Sequence, residues 1–356
     1  MVEAIYYQDI FLCVVTCCTF CAFLRYNSYA GIIVENKNNA LFLAIALALF
    51  IGFRPVHDVF ADTVGYAAYY NFIKFDAFQF NQDTENLIFD NLFAFTASQG
   101  FSNSTFFLVI ALIYFVFRYI SCRKMFPDNT WVSYVVFLGA FLTFSSSVNG
   151  IKAGAAASLF MCAIAYKDNK PLSILFLLLS WGFHHSMIIC IVAFITVSLN
   201  KITRLYYLLW IISFAIAALH ITLFQYLFAE YINDKGASYL YAKGGWLTGM
   251  RYDFALYSAA PILLSWWCIE KHKIKDETYR FIVNIYVLLN SLWLLCMYAS
   301  FTNRIAALSW FLYPVVLIYP FLSKNIHIPY KNYTLSWIVL GHLCFTLFMH
   351  FIYYHK

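Results

Sequence analysis

Apolar side chains run almost without interruption through this chain, and that continuity decides what it can fold into. Of its 356 residues 63% are hydrophobic and 11% charged, against roughly 45–50% and about 25% in soluble domains. A water-soluble core has no place for so much apolar surface, whereas a bilayer does. One spanning helix needs about 20 apolar residues. The chain is therefore expected to be an all-α, polytopic integral membrane protein with about 12 transmembrane helices, forming a single transmembrane domain over residues 1–356. Apolar runs lie near 5–24, 40–53, 104–120, 131–148, 150–166, 171–184, 186–199, 205–223, 251–269, 281–300, 304–322 and 334–352.

Charge orients these runs. Lys and Arg concentrate in loops that stay in the cytoplasm, and with alternating sides one set of loops holds fifteen of the 23 basic residues, among them Arg123, Lys124, Lys201, Arg204, Lys271 and Lys273. That set is assigned to the cytoplasm, and both termini to the outside. The net charge of +6 follows from this bias, and no nucleic-acid partner is expected. The first run is preceded by Glu3 rather than by basic residues and reads as a retained helix, not a cleaved signal. Nine of the ten cysteines fall inside apolar runs and Cys122 at a cytoplasmic edge, as small buried hydrophobes would. No P-loop, GxGxxG or Gly-x-Ser-x-Gly pattern occurs, so NTPase, dinucleotide and serine-hydrolase readings lack support.

Two longer stretches, 54–103 and 224–250, interrupt the rhythm on the outer side. Both mix aromatic and polar residues, as a sugar-binding surface or an interfacial aromatic belt would. Arg54, Asp62, Lys152, His184, Arg251 and Arg304 all fall at the outer ends of apolar runs. Ionisable groups at membrane depth cost roughly 2.5–3.5 kcal/mol each on insertion scales, so they are kept for function or paired. Four cations, Arg54, Lys152, Arg251 and Arg304, form a candidate diphosphate-binding set. Lys152 opens a helix rich in alanine, where the positive helix end also favours an anion. No metal site and no cofactor is expected, because several cations suffice to neutralise a diphosphate.

His184 is the leading candidate base, with Asp62 and Asp58 as alternatives. Asp58 and Asp62, at i and i+4, would share one face of a helix. On a helix the adjacent His184 and His185 would point about 100° apart, so that only one faces a given pocket. Tyr66, Tyr241 and Trp246 are candidate sugar-stacking residues.

Four segments resemble one family. Gly52-Phe53-Arg54 followed by Asp62-Thr63 and Tyr66 is similar to the G-[LF]-R…D-T-x-x-Y segment of EpsG-like proteins, the Wzy-type exopolysaccharide and O-antigen polymerases. Asn149-Gly150-Ile151-Lys152 with its alanines resembles their N-x-x-R-Q-x-x-A segment, Phe183-His184 with Ser186 their F-H-x-S, and Asn303-Arg304 with Tyr313 their late R…Y. Lys152 stands where the family carries arginine, which keeps the charge and loses the planar fork. The resemblance implies a GT-C-like fold and a metal-independent glycosyltransferase in the bacterial inner membrane. Its site would face the periplasm and join repeat units carried on undecaprenyl diphosphate, with a chain-length regulator as a candidate partner. A lipid-linked oligosaccharide flippase and a membrane O-acyltransferase are the alternatives. The first predicts internal repeats, and the second does not call for four outer cations.

Overall fold

The computed structural model describes residues 2–28, 31, 33–225, 249–299 and 302–354, and no strand occurs among them. The helices are α1 (Tyr7–Ser28), α2 (Lys37–Gly52), α3 (Asp62–Phe72), α4 (Leu87–Ser98), α5 (Asn103–Met125), α6 (Thr130–Leu138), α7 (Thr143–Val148), α8 (Ile151–Ala165), α9 (Lys170–Phe183), α10 (Met187–Leu199), α11 (Thr203–Ala218), α12 (Tyr252–Trp266), α13 (Glu277–Leu295), α14 (Thr302–Trp310), α15 (Tyr313–Leu322) and α16 (Lys331–Phe348). Each apolar run read from the sequence carries helix among its described residues. Among the described residues, five segments are long and apolar enough to cross a bilayer: Ala4–Ser28, Asn103–Met125, Glu277–Leu295, Thr302–Leu322 and Lys331–Tyr353. Six further apolar helices are 12–16 residues long. At 1.5 Å per residue they cover about 18–24 Å, less than the roughly 30 Å of hydrocarbon.

Two runs expected to be continuous are broken. In the first, α6 ends at Leu138 and α7 begins at Thr143, and side chains take over the freed carbonyls: Thr143 Oγ1 donates to Phe137 O at 2.6 Å, Thr346 Oγ1 to Gly139 O at 2.7 Å and Tyr114 OH to Thr143 O at 3.0 Å. Irregular backbone survives at this depth only where such partners exist. The second break falls between α14 and α15, where Pro314 has no N–H to give the Trp310 carbonyl at the end of α14.

The helices form two compact units, 1–188 with 321–323 and 329–356, and 189–320 with 324–328. In the first, α5 packs on α2 and α8, α8 on α9, and α1 on α16. Small residues along α8 allow this closeness. Ser173 and Ser180 of α9 donate through Oγ to Ala163 O at 3.0 Å and Ala156 O at 2.8 Å, tying α9 side chains to the α8 backbone. A Cβ on Gly154 would run into the Ser146 carbonyl and meet the Tyr114 ring at 3.0 Å. Gly154→Ala is therefore expected to cost about 1–3 kcal/mol through overpacking, read as a lowered Tm in detergent. An unchanged Tm would show that the contact relaxes freely.

In the second unit α13 packs on α11 and α14 around a buried polar line. Trp210 Nε1 donates to Asn290 Oδ1 at 2.8 Å, Asn290 Nδ2 to Ser309 Oγ at 3.1 Å and Trp310 Nε1 to Ser258 Oγ at 2.7 Å. In a medium without water each of these groups needs such a partner.

Candidate functional site

The first unit gathers most of the expected residues around the start of α8. Arg54 follows α2 and is 2% exposed. Its guanidinium donates through Nη1 to Ile51 O at 3.0 Å, through Nη2 to Thr63 Oγ1 at 3.0 Å and Val148 O at 3.2 Å, and through Nε to Thr63 Oγ1 at 3.3 Å. The Phe107 ring lies 4.6 Å below it. Thr63 Oγ1 in turn donates to Val148 O at 3.1 Å, and Asn149 Oδ1 accepts from the Asp62 amide at 3.4 Å. Arg54 thus joins the end of α2, the start of α3 and the α7–α8 junction. Asp62 and Tyr66 are thereby held beside the segment that carries Lys152.

Lys152 pairs with an acid that the sequence did not single out. Its Nζ lies 2.7 Å from Asp90 Oδ1, 4.7 Å from the centre of the Phe89 ring and 5.9 Å from that of Tyr66. Asp90 also accepts from Thr84 Oγ1 at 2.6 Å and Asn86 Nδ2 at 3.4 Å. Its helix, α4, covers about 18 Å and is too short to cross a bilayer. Burial would push this carboxyl up, but Lys152, Thr84 and Asn86 outweigh it and hold the group below its ordinary value. The sequence signal for Asp90 is a lone acid inside an otherwise apolar stretch, which must find a partner.

The same network reaches the histidines. Asn86 Oδ1 accepts from the His185 amide at 3.1 Å, and Glu85 Oε2 lies 3.8 Å from His185 Nδ1. Close approach of α9 to α4 makes this reach short: a Cβ on Gly182 would sit 2.5 Å from the Ile88 side chain. The pair is not helical, contrary to expectation. His184 caps α9 in an extended conformation, and the two rings stack at 4.9 Å instead of diverging. His184 Nδ1 accepts from the Ser186 amide at 3.2 Å and lies 2.7 Å from Ser186 Oγ. An amide only donates, so the neutral ring carries its proton on Nε2. In that tautomer Nε2 is a hydrogen-bond donor.

Asp58 and Asp62 do not share a helical face. Asp58 belongs to a 3-10 turn, Asp58–Phe60, and α3 begins only at Asp62, because Ala61 between them turns the chain with φ 44°. Both carboxylates are exposed. In the second unit Arg251 precedes α12 and forks onto Asp253, Nε to Oδ1 at 2.9 Å and Nη2 to Oδ2 at 2.6 Å, with the Phe254 ring 4.0 Å from its guanidinium. Arg304 is exposed in the first turn of α14. Tyr241 and Trp246 lie outside the described residues.

The comparisons with known proteins give one match. No curated protein and no solved structure matches the chain. A family model described as the EpsG family covers residues 39–356, which includes all four segments quoted from the sequence. The match takes in nearly the whole chain, and the chain belongs to the EpsG family.

Proposed function

We propose that this protein is an exopolysaccharide polymerase that joins oligosaccharide repeat units carried on undecaprenyl diphosphate, at the periplasmic face of a bacterial inner membrane, in a GT-C-like fold. Family membership supports the broad activity. The observation that carries the finer reading is Lys152 at the positive end of α8, held by Asp90 beside the Asp62–Tyr66 segment.

In this account the donor diphosphate replaces Asp90 as the partner of Lys152, whose charge stabilises it as it departs. Asp62 takes the proton of the acceptor hydroxyl, and the freed oxygen bonds to the donor's anomeric carbon. The bond from that carbon to the phosphate oxygen breaks, and its electron pair leaves with the diphosphate. His184 donates through Nε2 to the leaving oxygen or to a sugar hydroxyl, and Tyr66 offers a ring face to the sugar. Arg251 and Arg304 remain proposed anion contacts.

Donation by His184 has a test of its own. His184→Gln keeps a donor at that position and is expected to retain about a tenth of the polymer output, whereas His184→Ala loses about 10²–10³-fold, the usual effect of removing one donor to a developing anion. Equal and complete loss in both variants would assign His184 to proton abstraction. For the activity as a whole, purified protein in liposomes with a lipid-linked repeat unit and no nucleotide should give a ladder of lengthening glycans. Translocation of the substrate without lengthening would establish a flippase instead.

A further inference from the structure

We infer that the groove between α11 and α12, at their Lys- and Arg-rich ends, binds the headgroup of an anionic phospholipid from the leaflet that those ends face. The groove encloses about 530 Å³. Tyr207 OH and Ser265 Oγ, 2.9 Å apart, join the two helices at its floor. Leu208, Ile211 and Trp266 make its wall, and they are 53%, 60% and 42% exposed. Arg204, Lys271 and Lys273 stand at its rim with one acid, Glu270. Arg204 already holds both oxygens of that acid, at 3.1 and 2.6 Å, so the rim keeps a net positive charge.

Two uncommon backbone features present those lysines. Residues Trp267–Lys271 form a π-helical turn, which widens the end of α12 and sets where Lys271 emerges; its Nζ lies 5.7 Å from the Trp266 ring. Lys273 has φ 56°, in the left-handed region that a lysine rarely adopts. Arg280 fixes the following turn by donating to Ile274 O from Nε at 3.2 Å and Nη2 at 3.1 Å. Sparsely populated backbone that its surroundings maintain is a marker of function.

The wall identifies the occupant. A free anion gains nothing from exposed leucine, isoleucine and tryptophan, whereas a phospholipid lays its acyl chains on them and its phosphate on the lysines. Basic pockets between helices on the cytoplasmic side bind such headgroups, and tryptophan favours that depth. The inference concerns a resident lipid and is independent of the polymerase reading.

The test measures phospholipid retained by the detergent-purified protein offered phosphatidylglycerol or phosphatidylcholine. Wild type should retain phosphatidylglycerol preferentially. Lys271→Gln/Lys273→Gln should weaken that retention about tenfold or more, each basic residue contributing about 1 kcal/mol near an anionic surface, whereas Lys324→Gln/Lys331→Gln, equal in charge and not among the residues lining the groove, should leave it unchanged. Equal weakening by both pairs would reduce the effect to bulk charge and overturn the proposal, as would displacement of the lipid by millimolar inorganic phosphate. Should the first double variant fail to fold, photoactivatable phosphatidylglycerol on the wild-type protein decides. Labelling concentrated in 203–211 and 263–273 supports the groove, and labelling spread along the other helices removes it.

Discussion

Lys152→Ala is expected to lower polymer output at least about a hundredfold, the scale of losing one preorganised charge from a departing anion. The variant also leaves the Asp90 carboxylate with only Thr84 and Asn86 as partners. Both members of the pair keep partial contact with solvent, at 23% and 32% side-chain exposure, so the stability lost should stay near about 1 kcal/mol. Asp90→Ala creates the opposite imbalance, a cation without its acid. The double variant Lys152→Ala/Asp90→Ala removes both charges and should recover most of the lost stability while remaining inactive. Recovery of polymer output in the double variant would make the pair a structural ion bridge and take Lys152 out of the chemistry.

Arg54→Ala should cost about 2–5 kcal/mol through the cavity it leaves and the hydrogen bonds it removes, enough to prevent accumulation of folded protein. The guanidinium spans three segments through four hydrogen bonds and lies over Phe107. Its removal withdraws a charged donor from Thr63 Oγ1 and from the Ile51 and Val148 carbonyls, leaves those carbonyls to Thr63 Oγ1 and to backbone amides, and opens a void over Phe107. Arg54→Lys keeps the charge but cannot fork, so it should recover little. Thermal unfolding in detergent, beside an activity assay, distinguishes two roles. A variant that keeps its Tm and loses polymer would mean that Arg54 touches substrate directly, as its place in the sequence pattern first suggested.

The helices were legible because a bilayer makes the apolar period nearly a complete description of them. The break at Gly139 was not, because the Gly139 carbonyl is satisfied by Thr346, some two hundred residues away. The site divides in the same way. Lys152 and His184 announced themselves as polar residues at the ends of apolar helices. The partner of Lys152 stayed hidden, since nothing local in the sequence brings Asp90 across 62 residues to it. Arg54 was read as a ligand because charge at membrane depth suggests function, yet its acceptors are a threonine and two carbonyls, which carry no charge pattern to read. Tautomer and ring stacking at His184 depend on the turn through Ser186, which a helical extrapolation replaced with the wrong geometry.

The most direct test is a structure of the protein bound to a non-reacting prenyl-diphosphate-linked glycan. The account predicts the diphosphate within about 3 Å of Lys152 Nζ, with Asp90 released from that cation and kept by Thr84 and Asn86. A diphosphate bound elsewhere, with Lys152 still closed on Asp90, would contradict it.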